Sequence, residues 1–69
     1  MRLSTRNVLT GTVSSVDKGS VMAVVKVDLD SGQQVTSSIT NEAAEDLDLK
    51  AGKKVTVLVK STEVMLAVE

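Results

Sequence analysis

From Val21 to Asp30 the chain alternates. Val21, Ala23, Val25, Val27 and Leu29 fall on one side; Met22, Val24, Lys26, Asp28 and Asp30 fall on the other. A period of two is the signature of a strand, in which successive side chains point to opposite faces. The first face is apolar throughout and must cover a core. The second is apolar only at Met22 and Val24, which predicts burial on both sides at that end. A strand this long in so short a chain suits a coiled, barrel-forming sheet.

The flanking segments follow the same logic. A first strand is expected over Asn7 to Asp17, with Val8, Leu9, Val13 and Val16 as its apolar positions. These break strict alternation, and Gly11 is the expected cause, as a bulge, a bend or a close backbone approach. Asp17-Lys18-Gly19-Ser20 reads as a tight turn with Gly19 at positive φ. Asp30-Ser31-Gly32-Gln33 is a second hairpin connection. A third strand alternates Val35, Ser37 and Ile39 against Gln34, Thr36 and Ser38. Thr40 is a plausible N-cap for a short acidic helix over Asn41 to Asp46. Leu47 and Leu49 are expected to tie that helix to the core, and Gly52 to turn the chain into a fourth strand, Lys53 to Lys60. Ser61-Thr62-Glu63 is a further turn and Val64 to Val68 a fifth strand. Three strands, a helix and two strands are the order of an all-β, five-stranded Greek-key barrel of the OB type, with residues 1–69 as one domain.

Size limits what such a core can do alone. A chain of 69 residues buries only about 60% of the surface its unfolded form exposes. Small scaffolds compensate with disulfides, a structural metal or association. There is no Cys and no His, which removes disulfides and the usual zinc sites. Association remains. The same absences argue against an enzyme, since no serine has a histidine to act as its base. Asp28 and Asp30 share a strand face, most simply a solvent face beside a turn, and the acidic residues have no calcium-loop spacing. A net charge of −1 and the absence of Phe, Tyr and Trp leave neither a basic footprint nor a stacking platform for nucleic acid. No apolar run approaches the roughly 18 residues of a membrane span, and Met1-Arg2-Leu3-Ser4 lacks a signal peptide's apolar core. A cytoplasmic location is the expectation.

Hydrogen-bond donors are the informative residues. Ser4-Thr5-Arg6-Asn7 supplies hydroxyls, an amide and a guanidinium fork just ahead of the first strand. Lys60-Ser61 ends the fourth strand, and barrel closure would bring these ends together around one point. Thr40, with the backbone N–H groups of Asn41, Glu42 and Ala43, makes a helix start, itself an anion-binding feature. Lys18-Gly19-Ser20-Val21 could form a nest of N–H groups around an anion. Two cations with several neutral donors match a tetrahedral dianion. Each group also has an ordinary reading: a solvated terminus, an edge lysine, a helix cap and a hairpin turn.

Read together, the segments resemble a known family. Ser-x-Arg-Asn-x-x-x-Gly-x-Val at Ser4 to Val13 is followed by Lys-Gly-x-Val at Lys18 to Val21 and Ser-Ile-Thr at Ser38 to Thr40. Leu-x-x-Gly-x-x-Val at Leu49 to Val55 and Val-Lys-Ser-Thr-x-Val-Met at Val59 to Met65 complete the set. Each is weak; five in this order resemble the molbindins, the small Mop-type molybdate-binding proteins related to TOBE domains. The resemblance implies OB-like subunits in a homohexamer, a trimer of dimers, that holds molybdate or tungstate at subunit interfaces with no further cofactor and no directly ligated metal. It implies one kind of site built from Ser4, Arg6, Lys60 and Ser61 of one chain with Thr40 and the Ala43 backbone N–H of its neighbour. A second kind, near a three-fold axis, would use Lys18, Gly19, Ser20 and Val21. Storage or buffering of the oxyanion follows as the expected function. An OB-fold nucleic-acid module, resting on strand order alone, and a purely structural oligomerisation module are the alternatives.

Overall fold

Four strands, β1 (Asn7–Lys18), β2 (Met22–Leu29), β3 (Gln34–Thr40) and β4 (Lys54–Val59), form one antiparallel sheet in the order β3-β2-β1-β4. A helix, α1 (Asn41–Asp46), carries the chain from β3 back to β4, and a 3-10 turn covers Ser61–Glu63. These elements come from a computed structural model that describes all 69 residues. β1 organises the sheet. Its first half pairs with β4 from Asn7 to Thr12, and its second half pairs with β2 from Gly11 to Lys18. A strand that changes partner midway must bend, and the sheet curls around the core.

The bend has a local cause. The β1–β2 register shifts between Val13 and Ser15, so Ser14 is the extra residue of a bulge. The shift rephases the side chains, and Val13 and Val16 reach the same face although they are three residues apart. That accounts for the broken alternation of the first strand. Gly11 serves the close approach instead: a Cβ there would lie 2.6 Å from the Asp28 carbonyl oxygen and 2.8 Å from Val27 Cγ1.

β2 buries Ala23, Val25, Val27 and Leu29 and exposes every residue between them, as its alternation requires. Val13, Val25, Val27 and Leu29 are the centre of the core, with Val16, Val35, Ile39, Leu49, Val55 and Val57 packed around it. Ala44 anchors α1 on the sheet and is buried. Gly32 and Gly52 take φ of +100° and +93°, as their turns require.

Several expectations are overturned. Met22 and Val24 are exposed within the chain, not buried on both sides, and Val21, expected on the core face, lies ahead of the strand and is exposed. Leu47 is exposed as well, and Leu49 alone ties the end of the helix to the core. Gly19 is not at positive φ. Its N–H closes the turn by donating to the Met22 carbonyl at 2.7 Å, and β1 runs on to Lys18.

The fifth strand and the closed barrel do not form. Val64 is extended, but Val64–Glu69 pairs with nothing, and Met65, Leu66 and Val68 are more than 90% exposed. A strand exists only with a ladder partner, and no edge of the chain's own sheet receives this segment. The outer edges of β3 and β4 are therefore both unpaired.

Candidate functional site

At one end of the molecule the β1–β4 ladder stops at Asn7 opposite Val59. Arg6 and Lys60 are the next residues outward on these two strands. Two side chains fasten the end: the Thr5 hydroxyl donates to the Val59 carbonyl at 2.9 Å, and the Asn7 amide donates to the same oxygen at 3.1 Å. The Asn7 amide also lies 3.5 Å from Ser61 Oγ, the long limit of a hydrogen bond. Arg6 and Lys60 have no carboxylate partner. Both are exposed, as are Ser4 and Ser61. Ordinary strand pairing thus gathers two free cations and two hydroxyls at one rim without barrel closure.

The other candidate donors lie at the far end of β1, about 35 Å along the strand at ~3.3 Å per residue. There Met22 pairs with Thr40 and Ala23 with Lys18, so the helix start and the Lys18–Val21 turn are neighbours. The Asn41 N–H donates to the Val21 carbonyl at 2.7 Å. Its side-chain amide donates to the Gly19 carbonyl at 2.8 Å. Asn41 Oδ1 is buried and has no partner.

Thr40 caps the helix. Its Oγ accepts from the Ala43 N–H at 3.1 Å, and the hydroxyl keeps its own proton to donate. The Ala43 N–H is therefore shared with the cap, not free. Thr40→Ala is expected to cost about 1 kcal/mol, the usual worth of an N-cap, measured as a lower urea midpoint with an unchanged slope.

In the turn, the Gly19 N–H is spent on Met22, whereas the N–H groups of Ser20 and Val21 make no backbone hydrogen bond. Lys18 is held by Glu45 of α1 at 3.3 Å. The structure thus brings together Ser4, Arg6, Lys60 and Ser61 at one end, and Thr40, Ala43, Lys18, Gly19, Ser20 and Val21 at the other. It does not bring the two sets to each other.

Sequence reading treated Thr5 and Asn7 as further donors and gave Asn41 and Glu45 no part beyond the helix. Thr5 and Asn7 turn out to be fasteners that hold the rim. Asn41 and Glu45 bind the helix to the turn, contacts spanning 22 and 27 residues that carry no local signal. No group of three or more acidic, His or Cys side chains is placed to hold a metal ion.

Comparison with known proteins shows the family. Residues 3–66 match the model of the TOBE domain. A molybdenum-pterin-binding protein 3 from Clostridium pasteurianum is 44% identical over 66 residues, covering 96% of this chain and 97% of that protein. A probable molybdenum-pterin-binding protein from Haemophilus influenzae is 39% identical over 69 residues, the full length of both. The solved structure of a molybdate-binding protein from Sporomusa ovata superposes with a TM-score of 0.91 at 43% identity, covering 97% of this chain and 98% of that one.

Proposed function

The chain belongs to the TOBE domain family, and from that membership we propose that it binds molybdate, with tungstate as a chemical equivalent, as a non-catalytic cytoplasmic store or buffer of the oxyanion. The site is assembled between copies of a single Mop-type unit. One chain contributes Ser4, Arg6, Lys60 and Ser61; its neighbour contributes the Thr40 hydroxyl, with the Ala43 N–H shared between that hydroxyl and the ion. The observation that carries this is the separation of the two donor sets at opposite ends of β1. Arg6 and Lys60 supply the charge a dianion needs, and neutral donors from a second chain would complete a tetrahedral shell.

Surface apolarity supports assembly. Leu3, Val8 and Leu58 are exposed beside the first set, and Val21, Met22 and Val24 beside the second. The Val64–Val68 tail adds a run of apolar side chains that one chain leaves in water. A second copy covers such surfaces at no cost in new sequence. A trimer of dimers gives each chain two neighbours. At the second kind of site, Lys18, the Ser20 hydroxyl and the free N–H groups of Ser20 and Val21 are the donors, with Gly19 shaping the turn.

The relatives' names offer a pterin as well as an oxyanion. A pterin ring is ordinarily held by stacking in an apolar slot, and a chain with no aromatic residue has none to stack on. The inorganic ion is the better match.

Calorimetric titration with molybdate, tungstate and sulfate tests the proposal, with native mass spectrometry of the same samples. Micromolar molybdate binding, and a hexamer that gains discrete oxyanion mass, are the expected results. Absence of heat and of added mass would refute it, and a monomer that binds would refute the shared site.

A further inference from the structure

Of the three cations assigned to candidate sites, Arg6, Lys60 and Lys18, only Lys18 has a carboxylate partner in its own chain. Glu45 Oε1 lies 3.3 Å from Lys18 Nζ, with both side chains about half exposed. The pair joins the end of β1 to α1. Asn41, one turn earlier on the same helix, is hydrogen-bonded to the Gly19 and Val21 carbonyls. Ala44 pins the helix to the sheet. Glu45 is therefore held beside the turn whose Ser20 and Val21 N–H groups are free.

Resting on the oxyanion-binding function above, we propose that Glu45 is an affinity-setting residue of the Lys18–Val21 site: an internal anion that occupies Lys18 until an oxyanion displaces it. With Glu45 in place the turn has no net cationic charge, only neutral donors. An incoming dianion must take Lys18 from the carboxylate and then tolerate a negative charge a few ångströms away. The rim formed by Arg6 and Lys60 has no such competitor. The two kinds of site are thereby ranked: the Arg6–Lys60 site fills first, and the Lys18 site fills only when oxyanion is abundant. For a buffer, that ranking widens the concentration range over which ion is taken up.

The test is calorimetric titration of the full chain with sodium molybdate, comparing wild type, Glu45→Gln and Asp46→Asn. The last two remove the same charge from adjacent helix positions, and Asp46 has no ion-pair partner. Glu45→Gln is expected to tighten the weaker class of sites by about three- to ten-fold, the scale of a screened charge–dianion repulsion over a few ångströms. Asp46→Asn should change it by less than about two-fold. In a Lys18→Gln background the benefit of Glu45→Gln should shrink, because part of it acts through Lys18.

An unchanged or weakened second class in Glu45→Gln, with wild type binding normally, overturns the inference and leaves the proposed function standing. Equal tightening by Asp46→Asn overturns it as a general charge effect. No binding by any of the proteins overturns both.

Discussion

Arg6→Ala is expected to weaken molybdate binding at the proposed interface site by about ten- to a hundred-fold. Arg6 is exposed, and neither an ion pair nor a hydrogen bond occupies its guanidinium, so its donors are free for a ligand. A hydrogen bond to a charged group is worth about 1.5–3 kcal/mol, and the loss falls on binding because there is no intrachain contact to lose. Thermal unfolding of the ion-free variant should match wild type. Arg6→Lys separates charge from geometry: a lysine restores the charge without the fork, and an intermediate affinity is expected. Wild-type affinity in Arg6→Ala would remove Arg6 from the site. A large drop in ion-free stability would make its role structural.

The second large effect concerns stability. Gly11→Ala places a Cβ 2.6 Å from the Asp28 carbonyl oxygen and 3.2 Å from its carbon. Those are backbone atoms of the partner strand and cannot rotate out of the way. Either β1 and β2 separate locally or the ladder breaks next to Val13 and Val27, two central core residues. Overpacking of this kind costs about 1–3 kcal/mol, a large share of the about 5–15 kcal/mol that holds a domain together. The midpoint of thermal unfolding should fall by roughly 5–20 °C, compared at equal protein concentration because association raises it. Gly32→Ala is the contrast. Its Cβ would meet nothing, and only the φ of +100° is strained, so a smaller loss is expected. Equal melting of Gly11→Ala and wild type would show that β1 and β2 have room to part.

What the sequence determined is what local rules encode. The alternation of β2 marked its buried face from Ala23 to Leu29, because the side-chain period of a strand is set by backbone geometry; Val21, placed on the same face, precedes the strand and is exposed. Thr40 capped Asn41–Asp46 because a hydroxyl at that position satisfies a helix N–H within three residues. Gly32 and Gly52 took the positive φ that their turns demand. The strand ends that carry Arg6 and Lys60 were expected to meet through barrel closure; the β1–β4 ladder, which stops at Asn7 opposite Val59, brings them to one rim without it.

Tertiary structure alone decided the rest. The bulge fell at Ser14 and not at Gly11, because the core had to receive both Val13 and Val16 while Gly11 let Asp28 approach. The Gly19 turn closed through its N–H on Met22 without positive φ. Glu45 found Lys18, and Asn41 found Gly19, across spans that no period connects. The Val64–Val68 segment forms no strand: apolar strand character is local, whereas a strand's partner belongs to whichever edge is free to meet it. For the same reason the donors at the two ends of β1 stay apart within one chain, separated by the length of the strand that organises the fold.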